Sequence, residues 1–188
     1  MADPTTDTVL FGVRQMRIKA ALATCVDDPS STGYDIDNPQ NVSIVAVYED
    51  GGRYVLRGGD DIIAVIEEDD RIVGFDVSFQ VAELMPEIDE AIVGGVATPG
   101  TDEWESPLDS TEYPNPFKMY MWVADYTESI SGSTQDGFQM FTFPCCRGRR
   151  DTETHADLAF GSPSYIAKAR NVGETEGAMK YEHAAAIV

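Results

Sequence analysis

Apolar and polar residues alternate strictly from Arg71 to Val81. Val73, Phe75, Val77, Phe79 and Val81 fall on one side, and Ile72, Gly74, Asp76, Ser78 and Gln80 on the other. A period of two marks a strand with one buried face. Just upstream, Ile62, Ile63, Val65 and Ile66 are β-branched and bounded by charge, which predicts a second strand. The charged run from Glu67 to Arg71 predicts a solvated hairpin tip between the two. Past Val81 the period lengthens. Leu84, Ile88, Ala91 and Ile92 are spaced as one side of a helix. Pro86 suits its first turn, Glu87, Asp89 and Glu90 stand near the positive end of its dipole, and Gly94-Gly95 predicts its stop.

The rest of the chain yields further strands. Residues 9–20 place Leu10, Met16, Ile18 and Ala20 on one face, interrupted by Arg14. Residues 27–40 have loop composition. Residues 42–48 and 53–57 are predicted to pair across a turn at Glu49-Asp50-Gly51-Gly52. Residues 117–126 are apolar on nearly both faces, which predicts a central or interface strand. After a turn-rich link at 128–136, residues 137–146 form another strand with Pro144 near its end, and Arg147 to Arg150 are expected to turn the chain. Residues 155–160 and 165–172 are strand candidates, and 178–188 is an edge strand or a short helix.

Eight or nine strands and one helix predict a mainly β fold, a β-sandwich or half-barrel with one packed α-helix. A chain of 188 residues fits a single domain, with residues 1–8 as a flexible arm. Residues 97–116 form a long acidic loop with four prolines, a length that is usually functional or ordered by a partner.

Charge narrows the function classes. The formal net charge is −20, from 33 acidic and 13 basic residues, with only four lysines among them. Such a balance argues against wrapping nucleic acid or coating an anionic membrane. Strong acidity with little lysine suits a salt-rich cytoplasm, where screening shrinks self-repulsion. No apolar run has the length of a membrane span, and the amino terminus lacks the pattern of a signal peptide. Three cysteines, two of them adjacent (Cys145 and Cys146), make a poor disulfide framework and point to reduced thiols.

Chemistry-bearing motifs are sparse. Neighbouring carboxylates such as Asp60-Asp61 and Asp69-Asp70 point to opposite faces of a strand, so a solvated acidic surface is the favoured reading over acid–base work or Ca²⁺ binding. Cys145, Cys146 and His155 lack zinc spacing. There is no nucleophile-elbow, phosphate-loop or dinucleotide fingerprint, and no catalytic residue, metal or cofactor is assigned. Arg147, Arg149 and Arg150 form a basic spot that could meet an acidic neighbouring subunit.

The order of parts carries a resemblance. A strand beginning Phe11-Gly12-Val13-Arg14 precedes a glycine-broken hairpin, Leu56-Arg57-Gly58-Gly59-Asp60. Ile63-Ala64-Val65-Ile66-Glu67-Glu68 leads to the alternating strand, then Leu84-Met85-Pro86-Glu87-Ile88 and Gly94-Gly95. This resembles the major tail tube proteins of long-tailed, non-contractile, siphovirus-like viruses, by pattern over residues 9–95 and by strand count beyond them. The composition suits a virus of a salt-loving archaeon. The resemblance implies a structural virion protein without turnover, made in the host cytoplasm. Six subunits would form a ring, their inner sheets joining into a barrel around a channel, and rings would stack into a tube. Ring closure removes free sheet edges. A tape-measure protein inside, and tail-terminator and tail-tip proteins at the ends, are the implied partners, and genome DNA passes without specific binding. Asp76, Ser78 and Gln80 would face the lumen as part of an acidic wall that repels phosphate. Arg147, Arg149 and Arg150 would form inter-subunit salt bridges. The alternatives are another virion β-domain, for capsid decoration or a baseplate, and a halophilic ligand-binding or enzyme domain.

Overall fold

The structure, a computed structural model, describes residues 8–187 except 22–23, 27–28, 30, 32, 59–60, 99, 109–115, 130–131, 152–161 and 172–176. The elements are β1 (Thr8–Ala20), β2 (Tyr34–Asp37), β3 (Gln40–Glu49), β4 (Arg53–Gly58), β5 (Asp61–Glu67), β6 (Arg71–Gln80), α1 (Pro86–Val93), β7 (Val96–Ala97), β8 (Trp104–Glu105), β9 (Phe117–Ser129), β10 (Gly132–Arg150), β11 (Ser164–Arg170) and β12 (Lys180–Ala184). The protein is mainly β, with one helix among the described residues. One large antiparallel sheet runs in the order β2-β1-β9-β10-β11-β6-β3, and β12 also pairs with β10.

The two-sided apolarity of residues 117–126 matches burial on both faces of one interior strand. β9 lies inside the sheet between β1 and β10, and Met121, Trp122, Val123 and Ala124 are all buried. Met16 and Ile18 on β1 stand opposite Met121 and Met119 on β9, and Phe143 on β10 stands opposite Met119 from the other side. With Tyr165 and Ala167 of β11 and Val77 and Phe79 of β6 they make one core that includes Ile88 and Ile92 of α1. Side chains from strands across the sheet and from the helix share this one core, the arrangement of a half-barrel with one packed helix. The helix spans the expected residues, but Leu84 is exposed and Met85 stands at the N-cap. It seats on β10 at Gly148, where any Cβ would collide with Ile92. Glycine here lets the helix backbone come close enough for Ile92 to reach the core. In β1, the interruption at Arg14 coincides with register shifts between Phe11 and Val13 and between Val13 and Gln15, which leave Arg14 exposed.

Two expected reversals are bends in one ribbon. β3 pairs with β6, and β4 with β5, so the strands on either side of Glu49–Gly52 continue one another, as do those on either side of Glu67–Arg71. Opposite Gly51-Gly52 the acidic run is pinned. The Gly51 N–H donates to Asp70 Oδ1 at 2.8 Å, and the Glu68 N–H to the Gly52 carbonyl at 2.9 Å. A side chain at Gly51 would strike the Glu68 carbonyl, so the glycines serve close approach and not a turn. Gly58 pairs with Asp61, so β4 and β5 form the outer part of a long hairpin arm.

Other expectations change in the same way. Arg147–Arg150 do not turn the chain but extend β10, which pairs there with β11. Most of the supposed link at 128–136 is paired strand, with Gly132 opposite Ser129. Part of the 97–116 segment is the small β7–β8 ribbon, anchored by Trp104 Nε1 donating to the Gly94 carbonyl at 2.9 Å. The tail resolves as strand β12. Residues 155–160 lie outside the described residues. Cys25 and Cys145 are joined in a disulfide with their Cα atoms 5.3 Å apart, which corrects the expectation of three reduced thiols. The fold brings together residues 120 positions apart, a proximity that spacing in sequence does not reveal. Cys146 is the free thiol, fully buried, and burial pushes its pKa far up.

Gly148→Ala is expected to lower unfolding free energy by about 1–3 kcal/mol in urea titration, through overpacking against Ile92. Cys146 is expected to stay unreactive towards a disulfide-exchange thiol reagent in the folded protein and to react stoichiometrically in denaturant.

Candidate interaction face

Residues directly opposite one another on neighbouring strands point to the same side of a sheet. Across four strands the register sets up two outward rows. Arg147, Lys168, Asp76 and Val45 form one, and Arg149, Ile166, Ser78 and Ser43 the next. A third brings Ser164, Gln80 and Gln40 together. The rows between them face the helix: Cys146, Ala169, Phe75 and Ala46, then Gly148, Ala167, Val77 and Ile44, then Arg150, Tyr165 and Phe79. Asp76, Ser78 and Gln80 thus share one continuous outer face with Arg147 and Arg149. Arg150 lies on the opposite face.

Among the described residues, the part of the outer face carried by β10 and β11 is basic where an acidic wall was expected. Asp76 is held by Arg170, whose Nη1 donates to Asp76 Oδ1 at 3.0 Å and to the Ala169 carbonyl at 2.8 Å. Gln80 Oε1 accepts from Asn41 Nδ2 at 2.6 Å. Arg147, Arg149 and Lys168 are exposed, and among the described residues they meet no carboxylate. Among the described residues, three exposed cations with no ion-pair partner stand beside an aspartate held by Arg170, and such a locally basic patch attracts phosphate or carboxylate. Towards β3 the face turns apolar, with Val45 57% exposed and the Tyr48–Ile72 pair also open to solvent.

Arg150 belongs to a network beneath the sheet. Asp89, on the core side of α1, is 3% exposed. Tyr165 donates its hydroxyl to Asp89 Oδ1 at 3.0 Å, and Arg150 Nε lies 3.7 Å from the same oxygen. The Arg150 guanidinium sits 5.8 Å from the centroid of the Trp104 ring. The group ties α1 to β8, β10 and β11. Its signal in the sequence is an aspartate beside Ile88 on the side of the helix that also carries Ile92.

The same outer face continues onto β1 and β9. Arg17, opposite Tyr120, donates to Asp35 through Nε at 2.5 Å and Nη2 at 2.9 Å, and lies 5.8 Å from the Trp122 ring. A cleft of about 510 Å³ opens beside Thr142, Pro144, Met179 and Tyr181, between Lys118 and Lys180, whose ammonium is paired with Glu182 at 2.8 Å. Among the described residues no group of three His, Cys, Asp or Glu is gathered to hold a metal, and no helix is long and apolar enough to cross a membrane.

The arm is the other unusual surface. Tyr54 stands opposite Ile66 and Val55 opposite Val65, in successive rows, so both faces of the hairpin are apolar. Tyr54, Leu56 and Ile66 are each at least 60% exposed. The hairpin continues the β3–β6 ribbon outward, and its exposed apolar rows form a patch of the kind that marks interaction surfaces.

No protein-family model matches this chain, and no curated protein matches it.

The three arginines should separate by stability. Arg150→Ala is expected to cost about 1–3 kcal/mol by leaving Asp89 short of a partner in the core. Arg147→Ala and Arg149→Ala should each stay within about 0.5 kcal/mol of the parent in the same denaturation assay.

Proposed function

We propose that the protein is a structural subunit that assembles with copies of itself, the repeating unit of a viral tail tube built from stacked hexameric rings. The observation that carries this reading is the β4–β5 arm, which exposes apolar side chains on both faces, a surface that burial against another copy would stabilise. The half-barrel supports it further. Among the described residues β2 and β3 are the edges of a seven-strand path, and joining edges round a ring would satisfy their backbone groups while enclosing a channel. A tube of this kind works by shape: it conducts DNA, and a tape-measure protein, a tail terminator and tail-tip proteins set its length and ends.

Negative-stain electron microscopy of the purified chain, in dilute and molar salt, tests the reading. Rings or hollow tubes with a channel wide enough for duplex DNA are expected. Closed trimers or dispersed monomers under every condition would overturn it. The double variant Leu56→Asp, Ile66→Asp alters only exposed positions of the arm. It is expected to keep the parent's thermal midpoint within about 2 °C, since surface substitutions rarely exceed about 0.5 kcal/mol, and to lose rings and tubes.

A further inference from the structure

The exposed cations of the outer face are open to a partner. Arg147, Arg149 and Lys168 occupy adjacent positions on β10 and β11. Successive outward residues on one strand are about 7 Å apart and neighbouring strands about 5 Å apart, so their charged groups cover one compact patch. The chain carries 33 carboxylates, yet none among the described residues is spent on these three. Beside them, Val45, Tyr48 and Ile72 leave an apolar margin open to solvent. An occupant must offer both negative charge and apolar surface. A phosphate backbone offers the first without the second.

The arm offers both. Its faces carry Tyr54, Val55, Leu56, Val65 and Ile66, and Glu68 and Asp69 at its base are exposed carboxylates. Glu67 is engaged by Arg53 at 2.9 Å, and Asp70 by the Gly51 N–H, which leaves Glu68 and Asp69 as the groups available to a partner. Within one copy the two surfaces stay apart. Asp76 lies six residues, about 20 Å, beyond Asp70 along the same ribbon, and Arg147 is a further two strands, about 10 Å, across the sheet.

We infer that the Arg147–Arg149–Lys168 patch is the docking surface for the arm of a second copy of this chain, with Glu68 and Asp69 of that copy pairing with the patch and its apolar rows covering Val45, Tyr48 and Ile72. The inference rests on the self-assembly proposed above and names its contact. The two surfaces differ, so the contact is heterologous and repeats head to tail, which generates a closed ring or an open filament and no closed two-fold dimer.

Charge reversal with rescue tests this. One variant carries Arg147→Glu, Arg149→Glu and Lys168→Glu, and the other Glu68→Arg and Asp69→Arg. Both alter exposed positions, and circular dichroism checks that each is folded; Arg147→Gln, Arg149→Gln, Lys168→Gln serves where reversal harms folding. In sedimentation velocity, each variant alone is expected to associate at least tenfold more weakly than the parent. An equimolar mixture is expected to recover assembly, because every contact in an alternating polymer is then complementary. Parent-like assembly by either variant alone, or a mixture that stays dissociated, would overturn the inference and leave the tube reading standing. A parent chain that never associates would overturn both. Binding of a fluorescein-labelled 30-base-pair duplex by the parent, abolished by the patch variant and untouched by the arm variant, would assign the patch to phosphate instead.

Discussion

The seating of α1 against β10 is the contact from which the rest of the register follows. Ile92 reaches the core only because position 148 has no side chain. With the helix fixed there, Cys146, Gly148 and Arg150 must face it, and strand pleating sends Arg147 and Arg149 the other way. Pairing carries that choice across β11 to β6, so Tyr165 and Phe79 turn inward, and Lys168, Asp76 and Ser78 turn outward. The Asp89–Tyr165–Arg150 network fastens the same junction with directional bonds, so the helix cannot rotate without leaving a buried carboxylate unpartnered.

Local periodicity made much of this legible. The alternation through Val73–Val81, the helix from Pro86 and its glycine stop, and the two-faced strand at 117–126 all follow from spacing of apolar residues, because burial acts on each segment separately. Partner choice was not legible. Gly51-Gly52 and Glu67–Asp70 carry strong turn chemistry, yet each sits opposite the other at a bend, because glycine and a solvated charged run serve a close crossing of two strands as well as they serve a reversal. The disulfide between Cys25 and Cys145 and the ion pair between Asp89 and Arg150 likewise join residues that only the finished fold makes neighbours.

Charge shows the same division between composition and placement. A net charge of −20 suggests that any exposed wall is acidic, and Asp76 was read in that light. The register instead sets Asp76 opposite Lys168 and bonded to Arg170, on the same outward row as Arg147. Net charge describes the far field of the molecule, while a contact is decided by the few side chains that share a row. Among the described residues, this acidic chain gathers three exposed cations on one face.

The nineteen-residue β10 has a mechanical meaning of its own. It is bonded to β9 along most of its length, to β12 from Phe138 to Thr142, and to β11 from Cys146 to Arg150. Tension entering from the β1 side of the sheet passes to the β6 side through this one continuous segment. Load applied along the strand direction falls on many parallel hydrogen bonds at once, in shear, where they fail together and not one by one. A subunit with such a spine behaves as a stiff plate under axial strain.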